Sequence, residues 1–360
     1  MAGLFDLKKI KVSGRVTESD GVLYLGYSAS FVEFRFEGIS ASVKLVSDMA
    51  FDDEKLRARA AVFIKERGGT WEEPAFTLMM DEKEKDISIF NSYEPREVSV
   101  RIMKYSEAAF ASLGIKDIQV AGKLIVPEKE KGPRLAFIGD SITCGYGIEG
   151  VLGKDVFNTA QENPWNAYAC LTARALNSEF ELFSWSGNGM ISHYVDESVN
   201  TPRRDEPLIP ELFGFADLTL EKRQKKENFT KWDLKYLNPD YIIINIGTND
   251  ASYTRRIAER DKEFCDVYKS FVKKLSCEYP LSRILCTIGV MRDEVDNDIK
   301  EVVGELRDEG TKNVSFIKWP LQLEEDGYAT DFHPSAVTHK KMAKQLTELI
   351  LSFNELKKEH

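Results

Sequence analysis

The stretch Leu135-Ala136-Phe137-Ile138-Gly139-Asp140-Ser141-Ile142-Thr143 decides the fold of the second half of this chain. A continuous apolar run such as 135–138 is typical of a strand that is buried on both faces, as the strands of parallel sheets are. The run ends in a Gly-Asp-Ser turn, which predicts that the Ser141 hydroxyl lies at the rim of a sheet. A serine hydroxyl becomes a good nucleophile only beside a base and an anion-stabilising site. Both must therefore come from other parts of the chain.

Further apolar runs follow this one, and helical patterns alternate with them. Pro164 begins one such pattern and Ser335 precedes another. This alternation predicts a doubly wound α/β domain with a parallel sheet. Sites in such sheets collect at the carboxyl ends of the strands, so we expect Ser141, the turn 186–189 and Asn249 at one edge. The further runs are Phe180–Phe183, Tyr241–Ile246, Ile284–Ile288 and Val314–Ile317.

The first half of the chain has a period of two. In Val32–Glu37 the apolar side chains fall on one face and the charged ones on the other, and Val98–Ile102 repeats the pattern. Short runs of this kind, separated by turn residues, are typical of an antiparallel sandwich or jelly roll. The charged, proline-bounded stretch Pro127–Arg134 has the composition of a linker. We therefore predict an all-β jelly-roll domain over residues 1–128 and an α/β domain over residues 129–360.

Composition excludes several classes of function. The 360 residues, 42% of them hydrophobic and 30% charged, are typical of a globular protein that is large enough for two cores. The net charge of −10 argues against nucleic acid or an anionic membrane as a partner. No apolar run approaches the roughly 18 residues that a membrane span needs. The sequence does not indicate an oligomeric state.

The cysteines, the histidines and the start of the chain lead to two further expectations. The five cysteines are irregularly spaced and the four histidines are scattered, so we predict no metal and no cofactor. The first nine residues lack the apolar core and cleavage site of a signal peptide, which predicts a cytoplasmic protein. A secreted protein that had been trimmed of its leader would begin in the same way.

Four motifs in order along the chain resemble the successive blocks of the GDSL, or SGNH, hydrolases. Those are α/β esterases whose shared residues are a Ser, a Gly, an Asn and a His. A lone Gly-Asp-Ser would be weak evidence, whereas four blocks in order and in a fitting sheet context are strong. The blocks are Gly139-Asp140-Ser141, Ser186-Gly187, Gly247-Thr248-Asn249-Asp250 and Asp331-Phe332-His333-Pro334.

A longer resemblance points to one branch of these hydrolases. The string 139–147, the turn Ser184-Trp185-Ser186-Gly187 and the preceding all-β half resemble family 2 carbohydrate esterases. Those enzymes remove acetyl groups from plant polysaccharides such as xylan and glucomannan. The resemblance implies a serine esterase that deacetylates carbohydrates through an acyl-enzyme. A general short-chain esterase or lipase of the GDSL type and a carbohydrate-binding module with vestigial catalysis are the alternatives.

The resemblance also implies a role for each block. Ser141 would attack the ester, and His333 would act as general acid and base, which suits an imidazole pKa near 6.5. The backbone N–H groups of Ser141 and Gly187 and the Asn249 side chain would form the oxyanion hole. Other interpretations stay open, because a serine can cap the following helix and an asparagine can stabilise its own turn. Gly189 is a second candidate for the backbone donor.

The orienting partner of His333 is open at this stage. Asp331 stands two residues before His333, whereas most of the superfamily has an Asp three residues before, where this chain has Thr330. Family 2 members share the shorter spacing, and in some of them a backbone carbonyl orients the histidine instead. Asp331 is the expected partner, and a Ser-His dyad with Asp331 merely nearby is the alternative.

Three aromatic residues are candidates for contact with the sugar. Related enzymes often carry Trp in the middle of the Asp-x-His motif, where this chain has Phe332, a smaller ring without an indole N–H. Trp185 and Tyr146 are further cleft-lining candidates, and core packing is the competing interpretation for Trp185.

Overall fold

The computed structural model describes residues 9–356, apart from the side chains of 49, 50, 355 and 356. Residues 1–8, on which the cytoplasmic prediction mainly depends, and His360 lie outside the described residues. The chain divides into two compact units. The first comprises the described residues up to Glu130 together with 157–162 and 215–232, and the second comprises the remainder. The predicted domain boundary after residue 128 lies two residues before the end of the first segment of this unit, at Glu130. The prediction did not include segments 157–162 and 215–232 in the first unit.

The first unit is an antiparallel sheet of eight strands among the described residues. Its strand order is β2-β3-β8-β4-β7-β5-β6, and β1 pairs with β4. The predicted antiparallel β domain is therefore confirmed, but hydrogen bonding joins these strands into one sheet rather than the two sheets of a jelly roll, which stays unconfirmed. The strands are β1 (Ile10–Ser13), β2 (Val16–Ser19), β3 (Val22–Leu25), β4 (Phe31–Ser47), β5 (Arg59–Glu66), β6 (Phe76–Met79), β7 (Glu84–Lys104) and β8 (Leu113–Ile125).

The alternation in β4 gives one face to the core, as predicted, but the other face is not wholly solvated. Phe34 and Phe36 are fully buried in the core. Glu33, on the opposite face, is also buried, and its carboxylate accepts a hydrogen bond from Arg101 of β7 at 2.8 Å. A buried charge is tolerated only when it is paired in this way.

The second unit contains a five-stranded parallel sheet with the order β10-β9-β11-β12-β13 among the described residues, which confirms the predicted α/β layer. Its strands are β9 (Leu135–Gly139), β10 (Phe180–Ser184), β11 (Tyr241–Asn245), β12 (Arg283–Ile288) and β13 (Val314–Lys318). The helices of the chain are α1 (Ser141–Cys144), α2 (Tyr168–Ala175), α3 (Ile209–Leu212), α4 (Leu218–Arg223, in the first unit), α5 (Thr248–Thr254), α6 (Ala258–Glu278), α7 (Asp296–Asp308) and α8 (Ala336–Leu356).

The register of the three neighbouring strands β10, β9 and β11 brings the predicted site residues to one edge. Gly139 pairs with Ser184 on one side and with Asn245 on the other, so these strands end level with one another. The chain runs from β9 to β10 on one side and returns to β11 on the other, which is a topological switch point. Ligands of open α/β sheets bind at such a point, beyond the carboxyl ends of the strands.

Among the described residues, none of the helices combines the length and the apolarity that a membrane span requires. The same residues contain no group of three or more His, Cys, Asp or Glu side chains arranged to hold a metal ion.

Candidate active site

Ser141 lies at the start of α1, directly after β9, and is 5% exposed. The helix cap is the preceding residue, Asp140, whose Oδ1 accepts the N–H of Ile142 at 3.1 Å. The alternative in which the serine side chain serves as the cap therefore does not fit. The Ser141 hydroxyl is left available for another partner.

That partner is His333. Its Nε2 atom lies 2.8 Å from Ser141 Oγ, although the two residues are 192 positions apart in the chain. The imidazole follows a tight turn in which Asp331 and Phe332 have φ values of 53° and 60°. Consecutive non-glycine residues in this left-handed region are strained, and they persist only where the surroundings hold them. The geometry brings a hydroxyl and a base within hydrogen-bond distance, as nucleophilic catalysis requires.

The other ring nitrogen of His333 contacts a backbone oxygen. Nδ1 lies 3.1 Å from the carbonyl oxygen of Thr330. A carbonyl can only accept, so Nδ1 carries the proton and Nε2 is free to accept from the Ser141 hydroxyl. The Asp331 carboxylate instead accepts the Tyr146 hydroxyl at 3.0 Å. The expectation that the Asp331 carboxylate orients His333 is corrected here, because the backbone carbonyl occupies that position.

Desolvation is the largest influence on the pKa of His333. Burial lowers its pKa to about 4, whereas the hydrogen bond that Nδ1 donates to the Thr330 carbonyl and the charge of Asp331 both raise it. The imidazole is therefore neutral at neutral pH and can take a proton from Ser141. The ring of Tyr146 packs on the imidazole, with centroids 4.3 Å apart and planes inclined by 35°. Tyr146 thus contacts His333 and Asp331, and its contact with a sugar stays a prediction.

The two predicted backbone donors of the oxyanion hole are unused. Within residues 9–356, neither the Ser141 N–H nor the Gly187 N–H makes a hydrogen bond. Gly187 has a φ of 72°, and a Cβ there would meet nothing within 4 Å. The left-handed backbone rather than crowding favours glycine at this position.

Asn249 is the third predicted donor and is 6% exposed. Its Nδ2 donates to the carbonyl oxygen of Asn188 at 2.8 Å and makes a longer contact of 3.4 Å with Asp140 Oδ2. The first bond fixes the orientation of the amide. The second N–H makes only this long contact, so it can also serve a developing oxyanion.

Gly189, the other candidate for the backbone donor, has a packing role. A Cβ on Gly189 would lie 2.5 Å and 2.6 Å from the carboxylate oxygens of Asp250. Its glycine is therefore required by a close approach, and Gly187 remains the better candidate for the donor.

The candidate sugar-contacting residues differ in exposure. Trp185 is 8% exposed, so its ring belongs to the core. Phe332 is 60% exposed, and its ring centroid lies 5.8 Å from that of Tyr328. Phe332 therefore keeps an aromatic surface beside His333, whereas Trp185 does not.

Sequence reasoning did not single out Thr330 or assign a task to Asp250. A backbone carbonyl has no side-chain signature, so only the departure from Asp-x-x-His pointed to it. Asp250 accepts the N–H groups of Met190, Ile191 and Ser192 at 3.0, 2.8 and 3.2 Å. Its position directly after Asn249 was the available signal.

Comparison with known proteins identifies the family of the chain. Residues 135–346 match the family model described as GDSL-like Lipase/Acylhydrolase. The chain belongs to this family. Residues 12–127 of this GDSL-like hydrolase match the N-terminal domain of carbohydrate esterase 2, which confirms the resemblance seen in the sequence.

Two relatives are esterases by name. Cellulase/esterase CelE of Acetivibrio thermocellus is 33% identical over 232 residues, which are 63% of this chain and 26% of that protein. The GDSL-like hydrolase thus spans about a quarter of CelE. An acetylxylan esterase / glucomannan deacetylase of Cellvibrio japonicus is 28% identical over 276 residues, covering 76% of this chain and 72% of that protein.

Solved structures share the fold. A family two carbohydrate esterase from Clostridium thermocellum, in complex with cellohexaose, superposes with a TM-score of 0.81 at 27% identity, covering 96% of this chain and 99% of that one. The acetyl xylan esterase Est2A from the rumen bacterium Butyrivibrio proteoclasticus gives a TM-score of 0.82 at 22% identity, covering 98% and 96%. The second likeness concerns the fold alone.

Proposed function

We propose that this GDSL-like hydrolase is a serine esterase that removes O-acetyl groups from plant-type oligo- or polysaccharides such as xylan and glucomannan. The observation that carries the proposal is the 2.8 Å contact between His333 Nε2 and Ser141 Oγ. The unused N–H groups of Ser141 and Gly187 support it. The acetylated carbohydrate is taken from the names of the relatives and from the family 2 N-terminal match.

The first half of the reaction transfers the acetyl group to the enzyme. Ser141 Oγ attacks the acetyl carbonyl carbon while its proton passes to His333 Nε2. The carbonyl oxygen becomes an oxyanion that accepts hydrogen bonds from the N–H groups of Ser141 and Gly187 and from Asn249. Collapse of this intermediate breaks the ester bond to the sugar. The sugar oxygen takes the proton from His333, and acetyl-Ser141 remains.

The second half uses water. A water molecule gives a proton to His333 Nε2 and attacks the acetyl carbon, and the same donors hold the second oxyanion. The proton then returns from His333 to Ser141 Oγ as acetic acid leaves, and the acid ionises to acetate in water. Throughout both halves of the reaction, the Thr330 carbonyl accepts the hydrogen bond from Nδ1–H of His333. This bond keeps Nε2 directed at Ser141.

The partner in this proposal is a neutral sugar. Exposed Phe332 offers its ring beside His333 as a surface for the sugar. The charge of −10 gives no attraction to nucleic acid or to an anionic membrane, and neither is part of the proposal. The cytoplasmic location remains a prediction that cell fractionation would test.

The alternative is a general short-chain esterase or lipase of the GDSL type. Hydrolysis of 4-nitrophenyl acetate and of 4-nitrophenyl octanoate separates the two functions. We expect turnover of the acetate, little turnover of the octanoate, and loss of both in Ser141→Ala. Appreciable octanoate turnover would favour the lipase. Unchanged hydrolysis in Ser141→Ala would exclude the nucleophile assignment.

A further inference from the structure

Asp250 of α5 is a fully buried carboxylate that accepts three backbone N–H groups from one segment of the chain. Oδ2 accepts the N–H of Met190, and Oδ1 accepts those of Ile191 and Ser192. These three residues belong to the turn that follows β10 and begins with the donor Gly187. One side chain of α5 therefore holds the turn that carries one of the three proposed oxyanion-hole donors.

The neighbouring residue Asn249 holds the same turn one step earlier. Its Nδ2 donates to the Asn188 carbonyl at 2.8 Å. The turn approaches α5 so closely that a Cβ on Gly189 would lie 2.5 Å from Asp250 Oδ2 and 2.4 Å from the Ser192 carbonyl oxygen. Only glycine fits this approach without displacing backbone atoms. Residues 188–192 are thus tied along their length to two consecutive side chains.

We propose that Asp250 is a positioning residue of the oxyanion hole, whose carboxylate fixes the turn 188–192 so that the Gly187 N–H and the Asn249 amide converge on one point. The proposal rests on the esterase function proposed above and deepens it. Asp250 does not touch the substrate. It acts through the backbone that carries Gly187.

A carboxylate is the side chain that this arrangement requires. Three N–H groups converge on two oxygens, and an ionised carboxylate accepts at both. In Asp250→Asn one oxygen can still hold Ile191 and Ser192, but the amide NH₂ then faces the Met190 N–H, donor against donor. The variant therefore displaces the turn with little change in side-chain size.

Because Asp250 holds the turn as an ionised carboxylate, these hydrogen bonds should be sensitive to acid. Burial raises the pKa of Asp250 to about 6, even though its backbone hydrogen bonds lower it. Tyr268 of α6 is a titratable side chain that interacts electrostatically with Asp250, and burial keeps it neutral by raising its pKa. Protonation places a hydrogen on one carboxyl oxygen and removes an acceptor from the turn. Activity should then fall as the pH drops through about 6, before His333 takes up its proton near 4.

The first test compares Asp250→Asn with Asp217→Asn on 4-nitrophenyl acetate. Asp217 is a matched control, because it is also buried and accepts a backbone N–H, that of Leu220, but it lies in the first unit. We expect Asp250→Asn to lower kcat about tenfold or more with little change in KM. We also expect it to abolish the acid limb of the pH profile, which is the fall in activity as the pH drops through about 6. Asp217→Asn should keep both kcat and the acid limb. A kcat for Asp250→Asn within about twofold of wild type, or an equal loss in Asp217→Asn at equal Tm, would overturn the proposal.

The second measurement needs no variant and covers the case in which Asp250→Asn fails to fold. Amide hydrogen exchange of Met190, Ile191 and Ser192 in the wild-type protein, corrected for intrinsic rates, should lose protection in parallel with kcat as the pH falls through about 6. A fall in kcat without a change in protection would overturn the proposal. Both tests use a generic acetate ester, so a failure to deacetylate sugars would contradict the carbohydrate substrate and leave the role of Asp250 standing.

Discussion

At the scale of single residues, the orientation of His333 by a backbone oxygen changes what its acidic neighbour does. The Thr330 carbonyl sets the tautomer without supplying a charge. The Asp331 carboxylate supplies charge that raises the His333 pKa, and it also holds the hydroxyl of Tyr146, whose ring packs on the imidazole. Orientation and charge, which one aspartate supplies together in a Ser-His-Asp triad, come here from two sources.

Asp331→Asn should therefore reduce activity only modestly. The variant removes the charge but leaves the Nδ1 contact with Thr330, so the imidazole keeps its tautomer. We expect kcat/KM for 4-nitrophenyl acetate to fall by about tenfold or less, whereas replacing the carboxylate of a true triad costs about 10⁴ in kcat. A loss near the larger figure would show that the carboxylate itself orients His333.

Asn249→Ala tests the proposed side-chain donor of the oxyanion hole. Removal of one such donor lowers kcat by about 10² to 10³, because the charge develops only in the transition state. Asn354→Ala is the matched control, since Asn354 accepts the Tyr241 hydroxyl in the same unit but is not part of the site. Steady-state kinetics should show the loss in the first variant and about wild-type kcat in the second. Equal rates in both would remove Asn249 from the hole.

At the scale of elements, α8 is joined to α2 through a buried histidine. His339, near the start of α8, accepts the N–H of Tyr168 at 3.1 Å through Nδ1, and its ring is stacked parallel to the Tyr168 ring. Nδ1 must therefore be unprotonated in the folded state. Burial lowers the pKa of His339 to about 3, and the His333 charge acts in the same direction. This contact lies on the same segment that carries His333, six positions earlier.

The contact should make folding sensitive to acid. The pKa of His339 is about 3 when folded and about 6.5 when unfolded, so the unfolded state binds more protons between these values. The free energy of unfolding then decreases as the pH falls below about 6.5. Urea unfolding between about pH 7 and about pH 5 should show a decrease about 2 kcal/mol larger in wild type than in His339→Gln. Equal decreases in the two proteins would contradict the assignment.

At the scale of the whole molecule, the predictable part of the fold is the part that periodicity encodes. Continuous apolar runs such as 135–138 predicted β9 and its neighbours, because a parallel strand must be apolar on both faces. Level strand ends then brought Ser141, Gly187 and Asn249 to one edge, as the switch-point argument required. Alternation likewise predicted the antiparallel strands of the first unit.

The rest of the fold and of the site depends on long-range contacts, which the periodicity of the sequence does not predict. The segments 157–162 and 215–232 join the first unit through long-range contacts, such as that of the Arg15 guanidinium with the Phe215 carbonyl oxygen at 2.8 Å. Glu33 is buried because Arg101 reaches it from another strand. The Thr330 carbonyl is available to any residue type, so no letter of the sequence marks it.

The central claim is that Ser141 and His333 together hydrolyse acetyl esters on a carbohydrate. Mass spectrometry of acetylated xylo- and manno-oligosaccharides, before and after incubation with the wild-type protein and with Ser141→Ala, tests it most directly. We expect the wild-type protein to remove acetyl groups from at least one of the two sugar series and Ser141→Ala to remove none. Intact acetylation after incubation with wild-type protein, or deacetylation by Ser141→Ala, would contradict it.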